Sequence, residues 1–153
     1  MTRKLWIGPS GIPNAAAGKG IVRGVEVVRE LGLDAMELAF VQSVYVRSEE
    51  KAKEIDDARK KAGIRLSVHA PYYINLNAQK PETMEASIER LYLACKMGGL
   101  SGAESVAVHA AFRHKDDSKH IKEKILEASR KIYEKLDRDG VKIKIAPEFA
   151  GKL

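Results

Sequence analysis

Five residues recur at the interval of one strand and one helix, and this spacing constrains the fold of the 153-residue chain more than any other feature. Gly8, Ala39, His69, His109 and Glu148 are separated by 31, 30, 40 and 39 residues. Each closes a short segment in which aliphatic residues alternate with small or polar ones, as expected of a strand with unlike faces. A parallel strand connection needs a crossover of this length, usually a helix. The spacing therefore predicts a repeated strand–helix unit.

The hydrophobic pattern predicts five strands separated by four helices in one domain, 1–153. The predicted strands are 4–8, 34–40, 65–70, 105–110 and 142–148. The predicted helices are 19–31, 49–62, 81–97 and 118–136, with Ser48 and Ser118 as N-caps and Gly32, Gly63, Gly98 and Gly99 as stops. Because a helix fills every gap between strands, the sheet should be mostly parallel, with right-handed crossovers.

Side-chain parity divides the predicted sheet into two unlike faces. In the third strand Leu66 and Val68 point one way, and His69 points the other. The aliphatic face, expected to pack on helices, comprises Leu5, Ile7, Met36, Leu38, Leu66, Val68, Val106, Val108, Ile143 and Ile145. A parallel sheet with a small or polar inner face is typical of a (β/α)-barrel wall, whose chemistry lies at the C-terminal rim. The predicted class is α/β, a partial (β/α) TIM-type barrel of about five parallel strands and four helices.

Three residues at this rim have metal-ligand chemistry: His69, His109 and Glu148. Two imidazoles and a carboxylate make a usual catalytic zinc set, with a fourth position left for water. Zinc lowers the pKa of such a water to about 7 and so supplies a hydroxide nucleophile. A hydrogen-bonded structural histidine is the alternative for each imidazole taken alone. The shared parity and strand-end position of all three residues favour the metal site.

Basic side chains follow the strands at the same rim. The net charge is +6, but most lysines alternate with acidic residues in helical segments, a pattern typical of solvated helix faces. Arg47, Lys80, Arg113 and Lys115 instead follow strand ends, where they would form a basic collar suited to phosphates. Tyr72 is either an aromatic that packs its own loop or a ring that stacks on a nucleobase or sugar.

Five segments, in order along essentially the whole chain, carry a family resemblance: IGPSGIP, GLDAMEL, SVHAPYYINL, GAESVAVHA and IAPEFAGK. Together they resemble the endonuclease IV family, in particular its archaeal-type members, and SVHAPYYINL is the most specific of them. The resemblance implies a zinc-dependent TIM-barrel enzyme that cleaves double-stranded DNA on the 5′ side of abasic sites during base excision repair. The family's complete site holds three zinc ions.

The resemblance also implies roles for individual residues. His69 and His109 would bind one zinc, and Glu148 would bridge that zinc to a second and take part in catalysis. Tyr72 would lie in a loop that enters the DNA groove near the lesion. The basic collar adds Arg47, Arg113 and Lys115 as expected DNA contacts.

The sequence departs from the family pattern at three places near the rim. Ala110 and Ala111 stand where Pro-Gly is usual, Phe149 and Ala150 stand where small hydroxyl residues are usual, and Ala39 replaces a polar or acidic residue. The family's remaining ligands come from later strands. We therefore expect this chain to form at most one of the three zinc sites and to nick abasic DNA less well than full-length members.

Three alternatives to a nuclease are compatible with the sequence. The first is an inactive assembly or folding module of the same lineage. The second is a sugar isomerase- or epimerase-like barrel that binds one divalent metal. The third is a module that binds DNA without cleaving it. A keto-sugar assay separates the second from the nuclease, and duplex binding without nicking supports the third.

An open barrel wall exposes two sheet edges, which invite pairing. We therefore expect the barrel to be completed by self-association, with a twofold dimer as the favoured homo-oligomer. The single cysteine, Cys95, excludes an intrachain disulfide and predicts a reducing, cytoplasmic setting. The N-terminal segment lacks the long apolar core of a secretory signal, and no apolar run has the length of a membrane span.

Overall fold

The computed structural model describes residues 5–113 and 115–148 as a four-stranded parallel sheet backed by four helices. The strands are β1 (Ala35–Ala39), β2 (Arg65–His69), β3 (Ala103–Val108) and β4 (Lys144–Pro147), hydrogen-bonded in sequence order. The helices are α1 (Gly20–Glu30), α2 (Glu49–Ala62), α3 (Pro81–Leu100) and α4 (Ser118–Arg138), and a short helical turn covers Asn14–Ala16. The predicted α/β partial barrel is confirmed.

The aliphatic face of the sheet forms the core. Leu66 and Val68 of β2 are buried against the helices, as are Val106 and Val108 of β3. On the opposite face His69 is half-buried. The parity prediction therefore holds for these strands. Burial of aliphatic side chains on one face leaves the polar face of the sheet turned away from the helices.

The first predicted strand, 4–8, is not a strand in the described residues. The chain from Ile7 to Gly11 runs alongside β1 and forms backbone hydrogen bonds with it, but the regular pairing is limited to one isolated bridge, between Ser10 and Glu37. Two local features prevent a regular ladder: the Ile7 amide donates to the Asp34 carboxylate at 2.8 Å, and Pro9 has no amide hydrogen to donate. Within residues 5–113 and 115–148 the sheet consequently has four strands, where the sequence predicts five.

The predicted burial of Leu5 and Ile7 is also wrong. These side chains are 76% and 57% exposed, because no helix of the described chain packs on them. A parallel barrel strand normally has helices on its outer face, so this edge presents apolar surface that its own helices leave uncovered.

The predicted stop of the third helix at Gly98 and Gly99 is wrong, because α3 continues through both residues to Leu100. A Cβ on Gly98 would lie 2.6 Å from Cγ2 of Val68, which is fully buried. The glycine therefore allows α3 to approach β2 closely instead of ending the helix. The turn that follows uses Gly102, whose φ of 79° favours glycine.

The helix caps agree with the sequence in one case and differ in the other. Ser48 caps α2, and its side chain accepts a hydrogen bond from the Lys51 amide at 3.1 Å. Ser118 is the first residue of α4, whereas Asp117 is the cap and accepts from the Lys119 amide at 3.0 Å. A carboxylate at this position also interacts favourably with the helix N-terminus, so the one-residue shift is physically reasonable.

Some expectations fall on residues that the structure does not describe, namely Lys4 of the first predicted strand and the departures at Phe149 and Ala150. Cys95 is buried in α3, and burial raises the pKa of its thiol to about 12. The described helices include none that is long and apolar enough to cross a membrane.

Candidate functional site

The strand register brings three sequence-predicted residues to one face at the C-terminal rim. His69 ends β2 and pairs with Ala107 of β3, which in turn pairs with Ala146 of β4. His109 and Glu148 each lie two residues further along their segments, so they point to the same face as His69. The neighbouring strand β1 presents Ala39 opposite His69 and supplies no ligand.

His69, His109 and Glu148 converge closely enough to share one ion. One ligand atom from each residue lies within 4.8 Å of the others. The His69 Nε2 and Glu148 Oε2 atoms are 3.6 Å apart, and the two imidazole centroids are 5.3 Å apart. Ligand atoms of a tetrahedral zinc are separated by about 3.3 Å, given bonds of about 2.0–2.1 Å. Small side-chain rotations would therefore bring all three atoms to bonding distance.

The two imidazoles are prepared for this role in different ways: a hydrogen bond orients His69, and His109 has an unpaired ring nitrogen. The Nδ1 of His69 donates to the carbonyl oxygen of Ala70 at 2.8 Å, so Nε2, which lies 3.6 Å from the Glu148 carboxylate, is the ring atom placed to bind a metal. The Nδ1 of His109 is buried and has no hydrogen-bond partner in the described structure. An unpaired buried nitrogen is costly, and a metal bond is one way to satisfy it. The donor set and this nitrogen both fit zinc.

Tyr72 lies against both histidines. Its ring centroid is 5.2 Å from that of His69 in an edge arrangement, and 5.9 Å from that of His109 with an interplanar angle of 18°. The tyrosine is half exposed and the next residue, Tyr73, is more so. Tyr72 therefore forms one wall of the site and keeps an open face that a ligand could contact.

The three predicted DNA contacts, Arg47, Arg113 and Lys115, are all exposed. Within the part of the chain that the structure describes, no acidic side chain forms an ion pair with any of them. They follow β1 and β3 at the rim that carries the histidines. Their charges are consequently available to an anion bound there.

Two asparagines that the sequence prediction missed organise the loops around the site. Asn75 and Asn77 lie in the loop after β2, and their side chains bind the loop after β3. Asn77 is fully buried, although asparagine is usually exposed. The INLN sequence after the two tyrosines could have indicated these roles. Asparagines that alternate with aliphatic residues tend to lie close to the core, where their side chains form hydrogen bonds with backbone groups.

Asp116 completes this loop network. Its carboxylate accepts hydrogen bonds from Asn77 Nδ2 and from Gln79 Nε2, each at 2.8 Å. The bond from Asn77, with a smaller contribution from Gln79, holds the pKa of the Asp116 carboxyl below its ordinary value. Because the pKa is lower in the folded state, the network stabilises the protein at pH values above the pKa of the unfolded state. This contribution is lost as the pH falls through the pKa of the folded state.

Comparison with known proteins supports the fold. A family model described as xylose isomerase-like TIM barrel matches residues 25–151. An uncharacterized protein of Methanocaldococcus jannaschii is 32% identical over an alignment of 154 positions, which covers 99% of this chain and 54% of that protein. Endonuclease IV from Thermus thermophilus aligns with a TM-score of 0.64 and 24% identity, over 94% of this chain and 53% of that one.

A sugar enzyme is equally similar in structure. The 3-keto-D-glucoside 4-epimerase from E. coli aligns with a TM-score of 0.66 and 14% identity, over 93% of this chain and 56% of the epimerase. The chain spans about half the length of the relatives that it matches. Because a nuclease and an epimerase share this fold, the fold does not choose between their chemistries, and the site residues must do so.

Proposed function

This chain belongs to the xylose isomerase-like TIM barrel family, and on that premise we propose that it uses a zinc ion to hydrolyse DNA phosphodiesters beside abasic sites. The convergence of His69, His109 and Glu148 carries the proposal. Imidazole nitrogens suit zinc, whereas sites for magnesium, calcium or manganese are built mainly from oxygen ligands. Two imidazoles of three donors therefore favour zinc.

Each residue has a separate task in this proposal. Zinc bound by the three side chains supplies a Lewis acid and a water with a pKa of about 7. The carbonyl of Ala70 fixes the tautomer and orientation of His69. Glu148 is 52% exposed, so its carboxylate remains accessible to a substrate as well as to the metal. Tyr72 excludes water from the side of the site on which its ring lies.

The charges around the site favour a phosphate substrate over an uncharged sugar. Arg47, Arg113 and Lys115 are exposed beside the rim, and a DNA backbone carries closely spaced negative charges. Tyr72 offers a half-exposed ring on which a base or the sugar of an abasic site could stack. A neutral keto-sugar would not need the basic side chains, whereas the tyrosine ring suits either substrate.

Nicking of a duplex that contains a tetrahydrofuran abasic analogue tests the proposed reaction. We expect zinc-dependent cleavage on the 5′ side of the lesion, slower than that of endonuclease IV because the described residues form one metal site. His109→Ala should abolish the cleavage, whereas His120→Ala, at an exposed position of α4, should preserve it. Cleavage that is absent, or that persists in His109→Ala, would contradict the proposal.

Sugar epimerisation is the second candidate, because a solved epimerase shares the fold of this chain to the same extent as the nuclease, with TM-scores of 0.66 and 0.64. Incubation with keto-sugars and a divalent metal, followed by chromatographic analysis of the products, tests it directly. Epimerisation that depends on Glu148, without nicking of abasic DNA, would replace the nuclease by an isomerase-type function.

Duplex binding should depend on the basic side chains that follow β3. In a titration of binding against salt, we expect Arg113→Gln and Lys115→Gln each to reduce the slope of log K against log[salt] by about 0.9, the value for one phosphate contact. Lys61→Gln is the control, because this exposed lysine lies at the opposite end of α2 from the rim. Equal effects of all three variants would point to general charge instead of a defined interface.

We also propose that a second copy covers the open sides of the sheet. Leu5 and Ile7 are exposed beside β1, and Leu126 and Tyr133 are exposed on one face of α4 near β4, so each edge carries apolar surface. One docked copy can cover both edges. In sedimentation equilibrium we expect a dimer that Leu126→Glu weakens and Leu93→Glu on α3 does not. A monodisperse monomer at micromolar concentration would contradict the proposal.

A further inference from the structure

We propose that Asn75, Asn77 and Asp116 form an amide clamp that positions His109 relative to His69. The proposal rests on the metal site proposed above and assigns to it residues that touch neither the metal nor the substrate. Both histidines lie at strand ends, where the regular β-ladder stops. Two backbone bonds, from the Ala70 amide to Ala107 and from the Leu76 amide to Ala110, continue the pairing a short way. Contacts beyond these bonds must hold the rest of the two loops together if the imidazoles are to keep a fixed separation.

Asn75 supplies the acceptor half of the clamp. Its Oδ1 accepts from the Phe112 amide at 3.2 Å and from the Asn77 amide at 3.0 Å. Its own backbone amide donates to Ser87 Oγ of α3 at 3.1 Å. The side chain therefore connects the loop after β3 to a loop that is itself anchored to a helix.

Asn77 supplies the donor half. Its Nδ2 donates to the Phe112 carbonyl at 3.0 Å and to Asp116 Oδ2 at 2.8 Å. Both partners can only accept, which fixes the orientation of the amide group. Asn75 thus binds the amide of Phe112 and Asn77 binds its carbonyl, the two groups that a neighbouring strand would bind. The two side chains therefore extend the pairing of the segments beyond the last backbone hydrogen bond.

The clamp lies next to the metal ligands along both loops. Backbone bonds join Ala70 to Ala107 and Leu76 to Ala110, so they flank His109 on its own segment and follow His69 on the other. The clamp comes next along the chain, at Phe112. Phe112 is three residues beyond His109, and the clamp holds Phe112 and Asp116, the chain neighbours of Arg113 and Lys115. The same hydrogen bonds therefore set the imidazole position and the placement of two basic side chains.

Two isosteric changes separate the clamp from general loop packing. Asn75→Asp keeps the acceptor oxygen and should preserve the clamp. Asn77→Asp removes both donated bonds and places a carboxylate against Asp116. We expect Asn77→Asp to weaken zinc binding by about 10- to 100-fold, the usual effect of losing a group that orients metal ligands, while Asn75→Asp stays within about threefold of wild type. Adding Asp116→Asn to Asn77→Asp restores one donor–acceptor pair and should recover part of the affinity.

The measurements are zinc affinity by chelator competition and the visible absorption of the cobalt(II)-loaded protein, both at a temperature where every variant is folded. Ser101→Ala is the stability control, since it removes a buried hydrogen bond at the end of α3, distant from both loops. It should lower thermal stability and leave the zinc affinity and the cobalt spectrum unchanged. A purely structural clamp would make Asn77→Asp behave like Ser101→Ala.

Amide hydrogen exchange and imidazole ring resonances of the metal-free protein provide a readout that needs no zinc. We expect Asn77→Asp to accelerate exchange at Phe112 and to shift the His109 ring resonances. Unchanged exchange and ring shifts, or an unchanged zinc affinity and cobalt spectrum in folded Asn77→Asp, would overturn the clamp. If the wild-type protein binds no zinc, the proposed function fails, while the exchange and ring shifts still decide on the clamp.

Discussion

His69→Ala is expected to lower the affinity of the chain for zinc by about 100-fold or more. Loss of a residue that only orients a ligand costs about 10- to 100-fold, and loss of a direct ligand should cost at least the upper value. His69 also contributes the Nε2 atom that lies 3.6 Å from the Glu148 carboxylate, so its removal leaves one imidazole and one carboxylate. Competition with a chromophoric chelator, at fixed pH, measures the change.

His120→Ala is the matched control for this experiment. His120 is exposed on α4 and has no part in the cluster, so its removal should leave the zinc affinity unchanged. Far-UV circular dichroism should show that both variants are folded. Equal losses in the two variants, or wild-type affinity in His69→Ala, would mean that zinc binds elsewhere.

Leu91→Ala is expected to destabilise the protein by about 2–5 kcal/mol, the range measured for buried leucines in other proteins. Leu91 is fully buried in α3, within the core cluster that also holds Val68 of β2 and Val106 of β3. The cost combines lost burial with the cavity that the surrounding side chains only partly fill. Urea denaturation followed by circular dichroism gives the free energy of unfolding.

Leu93→Ala provides the comparison, since it makes the same chemical change two residues further along α3. Leu93 is 42% exposed, and its truncation should change the free energy of unfolding by about 0.5 kcal/mol or less. Similar losses for the two leucines would contradict the assigned helix face. A destabilised but folded Leu91→Ala should still bind zinc, because Leu91 packs with the aliphatic face of the sheet, whereas His69 lies on the opposite face.

The spacing and parity of the sequence were sufficient to predict the layered fold and the meeting of three residues. Because side chains alternate along a strand, His69 lies on the face of the sheet opposite to that of Val68. Parallel pairing then brings the C-terminal ends of β2, β3 and β4 to one rim. Both rules are properties of any parallel sheet. The resemblance to endonuclease IV added the expected metal and substrate, which remain proposals for this chain.

Features set by tertiary contacts could not be predicted in the same way. The sequence pattern predicts a helix stop at Gly98, yet this residue lies inside α3. A glycine is needed there because Val68 leaves no room for a Cβ. The segment around Ile7 has a strand pattern, but the Ile7 amide donates its hydrogen bond to the Asp34 carboxylate instead of to a neighbouring strand. Each outcome depends on a partner distant in the sequence. The roles of Asn75 and Asn77 likewise became visible only when the loops after β2 and β3 were seen together.

The position of zinc in the folded chain tests the central claim most directly. Crystals of chelator-stripped protein re-equilibrated with zinc would be measured at the zinc absorption edge. The account predicts one anomalous peak at about 2.0–2.2 Å from a ring nitrogen of His69, a ring nitrogen of His109 and a carboxylate oxygen of Glu148. Zinc bound at other residues, or no peak between these three side chains at saturating zinc, would contradict it.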